Sequence, residues 1–134
     1  MPWRTRGVLA PAMLFASGAA AQIASAPPVG STRTELQRYD LSIAGREVVQ
    51  AIVSLAPGAA APRHSHPGEE IIYVLKGTWV YQLDGQPEKT LKAGDVLYVP
   101  YGVVHAAKNT GTETGSELAT YIVEKGRPLV VPAK

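Results

Sequence analysis

The chain contains no cysteine, and that absence removes three possibilities at once: a disulfide framework, a thiolate metal site and a thiol nucleophile. It is also poor in aromatics, with one Phe and two Trp, and it has three His. Neither sign of charge dominates, since 13 basic residues stand against 11 acidic ones. No stretch carries a sustained helical apolar stripe, and the long segment without charge, Gly7 to Ala21, lies near the start. Turn residues are abundant. Thirteen Gly and eleven Pro divide 134 residues into short pieces, which favours strands over long helices. The length suits one domain with a single core.

Arg4 and Arg6 precede the uncharged run, and Ala19-Ala20-Ala21 fits the small-x-small rule for cleavage before Gln22. The run is interrupted by Pro11 and Gly18 and is shorter than the ~20 apolar residues of a spanning helix. The expected organisation is a secretory signal peptide over 1–21, a flexible linker over 22–33 rich in Ala, Ser, Pro and Gly, and the folded domain over 34–134. The product is expected to be exported, periplasmic or secreted, with no stable membrane insertion after cleavage. Arg4 and Arg6 are not adjacent and give no twin-arginine signal. Without residues 1–21 the charge is 11 against 11, so no basic stripe points to nucleic acid.

Beyond residue 33 the pattern is short apolar or alternating runs bounded by turns. Leu36–Ser42 and Glu47–Leu55 meet around Ala44-Gly45. Arg63–His66 breaks at Pro67-Gly68, and Glu70–Leu75 is rich in β-branched residues. Thr78–Leu83 alternates, with Trp79, Tyr81 and Leu83 on one face. Asp84-Gly85 is a hairpin signal leading to Lys89–Leu91. Val96–Val99, Val104–Lys108 and Glu117–Glu124 complete the series. About nine short strands at such spacing predict an all-β sandwich or barrel.

All three His lie in two short stretches. On an extended strand His64 and His66, two residues apart, share a face and present two imidazoles to one point. Pro67-Gly68 reverses the chain, so a carboxylate on the next strand can oppose the pair. Glu69 and Glu70 are adjacent, and only one of them can face that point. His105 follows another turn, Pro100-Tyr101-Gly102. Imidazoles with a carboxylate suit one divalent transition metal such as Fe, Mn, Zn, Ni, Cu or Co.

Gly58-(x5)-His64-x-His66-(x3)-Glu70-(x6)-Gly77 resembles the first motif of the cupin superfamily. Gly94-(x5)-Pro100-x-Gly102-(x2)-His105-(x3)-Asn109 is similar to the second, and both are complete. The spacing between them is typical of small single-domain bacterial cupins described as quercetin-dioxygenase-like. The resemblance implies a double-stranded β-helix, a jelly-roll barrel, with metal ligands His64, His66, Glu70 and His105. It selects Glu70 over Glu69 and gives Asn109 a structural role. One or two coordination positions would stay open, the mark of a catalytic site.

Two functions are compatible with this. The first is a metal-dependent enzyme, dioxygenase or lyase-like, acting on a small organic molecule, with Glu70 as the carboxylate that takes a proton. The second is an exported, non-enzymatic cupin that binds a metal or small ligand. Trp79, Tyr81, Tyr98 and Tyr101 are the aromatics available to line a pocket or to fill core and rim. No further His or Cys offers a second titrating group near neutrality. Residues 34–55 and the tail Arg127–Lys134 are the expected contact segments of a homodimer, or else pack within the chain.

Overall fold

The computed structural model describes residues 26–134, and the expected signal peptide lies outside them. The described chain is all β, without a helix, in ten strands: β1 Ser31–Asp40, β2 Arg46–Leu55, β3 Ala60–Ser65, β4 Gly68–Lys76, β5 Thr78–Leu83, β6 Lys89–Lys92, β7 Val96–Val99, β8 His105–Asn109, β9 Gly115–Glu124 and β10 Val131–Pro132. They form two five-stranded antiparallel sheets, in the orders β1-β2-β9-β4-β7 and β10-β3-β8-β5-β6. This is the jelly-roll barrel expected from the sequence.

Alternation decides which side chains face inward. Strand β9, GSELATYIVE, buries Gly115, Glu117, Ala119, Tyr121 and Val123 while the residues between them stay partly exposed. In β5 the inward residues are Trp79, Tyr81 and Leu83, as the alternation predicts. Together with Leu55, Ile72, Val74 and Val99 they make the larger apolar cluster, and Val49, Ala51, Ala119, Tyr121 and Val123 make a second.

Three details differ from the sequence expectation. Strand β1 begins at Ser31, inside the segment expected as linker, because Thr32 and Arg33 pair with Ser54 and Val53 of β2. Strand β3 begins at Ala60 rather than Arg63, because Ala60 and Ala61 pair with Lys108 and Ala107 of β8. The C-terminal tail supplies a strand of its own: β10 pairs with β3, Pro132 opposite His64 and Val131 opposite Ser65.

Two glycines are needed where they stand. A Cβ on Gly68 would lie 2.0 Å from the carbonyl oxygen of Ile122, so only glycine lets β4 enter the sheet beside β9. Gly77 has φ 91°, a conformation L side chains rarely adopt, and a Cβ there would press on Gly115 at 2.8 Å.

Candidate metal centre

One sheet supplies two of the imidazoles, the turn after β3 the third, and the other sheet the carboxylate. His64 lies next to the end of β3, beside His105, its direct partner on β8. His66 follows β3, and after the turn Glu70 enters from β4 in the opposite sheet. The three rings lie within 4.3 to 5.1 Å of each other, centroid to centroid. One nitrogen from each ring can be chosen so that all three lie within 4.8 Å of one another, a grouping that could hold a metal ion. Glu70 Oε2 is 3.2 Å from Nε2 of both His66 and His105. His66, Glu70 and His105 are buried, and His64 is half-buried.

Hydrogen bonds orient the rings. Nδ1 of His64 faces the Pro62 carbonyl at 2.6 Å, Nδ1 of His66 faces the Leu129 carbonyl at 2.6 Å, and Nδ1 of His105 faces the Val103 carbonyl at 3.0 Å. A carbonyl oxygen only accepts, so each Nδ1 carries the proton and each Nε2 keeps its lone pair for the centre. Nε2 of His66 and Oε2 of Glu70 are buried and have no hydrogen-bond partner among the described residues. Acceptors set against acceptors in a buried position call for a shared cation, so the residues present fit a metal.

The charges agree with that fit. Burial brings the His64 pKa down to about 4, which leaves a neutral imidazole near neutrality. Burial alone would raise the Glu70 pKa, but the imidazoles of His105 and His66 outweigh it and hold this carboxyl well below the usual range. Burial also works against a charged His105, and Glu70 reverses it, raising the pKa of that ring. Imidazole and carboxylate thus compete for a proton where a metal would compete better.

The centre opens into a cavity of about 590 Å³ lined by, among others, Val53, Leu55, Trp79, Tyr81, Glu117, Tyr121 and Leu129, with Arg33 and Arg63 toward solvent. Of the four aromatics named from the sequence, Trp79 and Tyr81 line it. Tyr98 and Tyr101 do not: they are 56% and 43% exposed, and Tyr98 pairs with Ile71 on the outer side of its sheet. Glu69 alternates away from Glu70 and pairs with Ile122. Asn109 is fully buried, donates to the carbonyls of Leu55 and Glu113, and accepts from the Gly111 amide, which makes it a loop clamp.

Sequence reasoning missed one feature here and left another open. Glu117 and Tyr121 belong to the cavity wall; their signal was their place among Gly115, Ala119 and Val123 on the alternating face of β9. The tail, for which the sequence allows a dimer contact or internal packing, packs internally: the Leu129 carbonyl holds His66 and the Ala133 amide bonds to the Arg63 carbonyl.

The cupin domain profile matches residues 51–121, more than half the chain. The chain belongs to the cupin family. This cupin is 36% identical over 76 residues to a germin-like protein, subfamily 2 member 2, of Arabidopsis thaliana, an alignment covering 53% of the chain and 35% of the relative. Among solved structures it is similar to a recombinant oxalate oxidase in complex with glycolate, with TM-score 0.64 and 27% identity over 78% of this chain and 56% of that one. It is also similar to the DMSP lyase DddQ of Ruegeria pomeroyi, with TM-score 0.57 and 27% identity over 64% of this chain and 43% of that one. The chain spans about a third of the length of the curated relatives it matches.

Proposed function

We propose that this cupin is a metal-dependent enzyme, dioxygenase or lyase-like, acting on a small organic molecule, with His64, His66, Glu70 and His105 as the ligands of one divalent transition metal. The observation that carries the reading is the convergence of acceptor atoms on one buried point in the wall of a cavity large enough for a small ligand. Similarity to an oxalate oxidase and to a DMSP lyase supports an enzyme without choosing the reaction.

A bound divalent ion would act as a Lewis acid on an oxygen donor of the substrate. The protein's share is orientation and exclusion of water. The three Nδ1–carbonyl contacts fix the rings, and Leu55, Trp79 and Leu129 provide apolar wall. Glu70, held ionised, is the carboxylate available to accept a proton. Imidazole and carboxylate donors suit Fe, Mn, Zn, Ni, Cu or Co. Export directed by residues 1–21 belongs to the same proposal.

The test begins with the metal content of the purified protein, followed by oxygen uptake and product formation with flavonols, diketones and catechols. Turnover in step with substrate, abolished by His66→Ala, supports an enzyme. Stoichiometric metal with no turnover across the panel favours the binding module instead.

A further inference from the structure

The cavity contains an ionisable pair that the metal centre does not use. Glu117 projects inward from β9 at 3% exposure. Tyr81, from the opposite sheet, donates its hydroxyl proton to Glu117 Oε2 at 2.5 Å. The phenol is fixed in turn, since it is buried and its ring stacks with Trp79 at 6.2 Å between centroids and 19° between planes. Another inward-facing carboxylate, Glu47, takes a guanidinium nitrogen of Arg38 at 2.6 Å. Glu117 makes no ion pair among the described residues, and its cavity neighbours include Glu70 and His105.

The titratable or charged groups that share the cavity with Glu117 are Tyr81 from β5, Glu70 from β4, Arg63 and His64 from β3, His105 from β8, Tyr121 on its own strand, and Arg33 and Glu35 from β1. Burial and then the Glu70 charge push its pKa up to about 8, while the Tyr81 hydrogen bond works in the other direction. A carboxyl in such a place is an acid near neutrality, ready to give a proton.

We propose that Glu117 is the proton-transfer group of this cavity, donating to a ligand anchored at the imidazole end, with Tyr81 as its positioning residue. The inference rests on reading the cavity as a metal-dependent reaction site, and it narrows the chemistry to redox-neutral steps on small carbonyl compounds with an acidic C–H beside the carbonyl. In the step assigned to Glu117 the carboxyl O–H bond breaks and a C–H bond forms on an enolate carbon. The O–H electron pair stays on the carboxylate, where the Tyr81 hydroxyl stabilises it, and solvent restores the proton. No oxidant or reductant is consumed in this step, and the classes it serves here are lyase and isomerase chemistry.

Two measurements on the protein test this. The first is infrared difference spectroscopy as a function of pH. The carbonyl stretch of a protonated, buried carboxyl is expected near neutrality, lost as pH rises past about 8, absent in Glu117→Gln and moved by Tyr81→Phe. A Glu117 that is already ionised near neutrality overturns the proposal.

The second is deuterium incorporation into hydroxyacetone in D2O, followed by NMR with Zn(II)-loaded protein, with the metal content of each preparation measured. Exchange is expected to exceed that of free Zn(II), to fall at least about 100-fold in Glu117→Gln, and to show a displaced pH profile in Tyr81→Phe. Equal metal loading and equal exchange in wild type and Glu117→Gln overturns the role of Glu117 and leaves the metal reading standing. A loaded wild type that does not exceed free Zn(II) overturns that role equally. Failure of the wild type to load metal removes the metal reading, while the infrared result still decides the state of Glu117.

Discussion

Glu70 and Glu117 are equally buried, at 3% exposure each, in the wall of one cavity, and their surroundings drive them to opposite protonation states. Burial raises both. At Glu70 the imidazoles of His105 and His66 outweigh it and hold the carboxyl ionised. At Glu117 burial raises the pKa and the Glu70 charge adds to it, carrying it up to about 8. Depth therefore does not set the chemistry of an acidic group here; the side chains offered by the facing strands do. Two carboxyls pushed apart in this way can take a proton at one end of a cavity and give one at the other.

The largest expected effect concerns the Glu117 end. Its folded-state pKa of about 8 lies above the ordinary carboxyl value of 4.5, so the native state holds a proton that the unfolded chain releases. The resulting stability is full below about pH 4.5 and is lost as pH rises through about 8. Across that window Glu117→Gln should gain about 5 kcal/mol relative to wild type, read as the difference in urea-unfolding free energies. The opposing contribution of His64, whose pKa falls from 6.5 to about 4, is common to both proteins and cancels in the difference. A flat difference would make the two carboxyls alike.

At the other end, Glu70→Gln should weaken metal binding by about 100-fold or more in calorimetric titration, and Glu69→Gln should change it little. The reverse order would contradict the geometry of β4. Next comes Gly68→Ala, which drives a Cβ into the Ile122 carbonyl and should cost about 2 kcal/mol in chemical denaturation. The smallest effect is expected from removing the tail after Arg127. It deprives His66 of the Leu129 carbonyl and should lower metal affinity about tenfold.

Most of the barrel was legible in the sequence because strand alternation and turn residues are local signals. Trp79, Tyr81 and Leu83 announced their shared face, and Asp84-Gly85 its hairpin. The two motifs singled out His64, His66, Glu70 and His105; in the structure one nitrogen from each imidazole lies within 4.8 Å of the others, and Glu70 Oε2 is 3.2 Å from Nε2 of His66 and of His105. What remained hidden depended on contacts distant in sequence. Nothing local says that the Leu129 carbonyl, 63 residues away, holds His66. Glu117 was half-visible, as a lone acid in the inward register of β9, but its partner Tyr81 comes from the other sheet. For Tyr98 and Tyr101 the sequence left pocket and rim both open, because an aromatic near a motif looks the same whether its backbone turns it inward or outward.

Calorimetric titration of the metal-free protein with Zn(II), followed by elemental analysis, addresses the imidazole–carboxylate centre without needing a substrate. One ion per chain is predicted, with binding lost in His105→Ala. Metal-free and metal-treated protein that are indistinguishable by both methods would contradict the account.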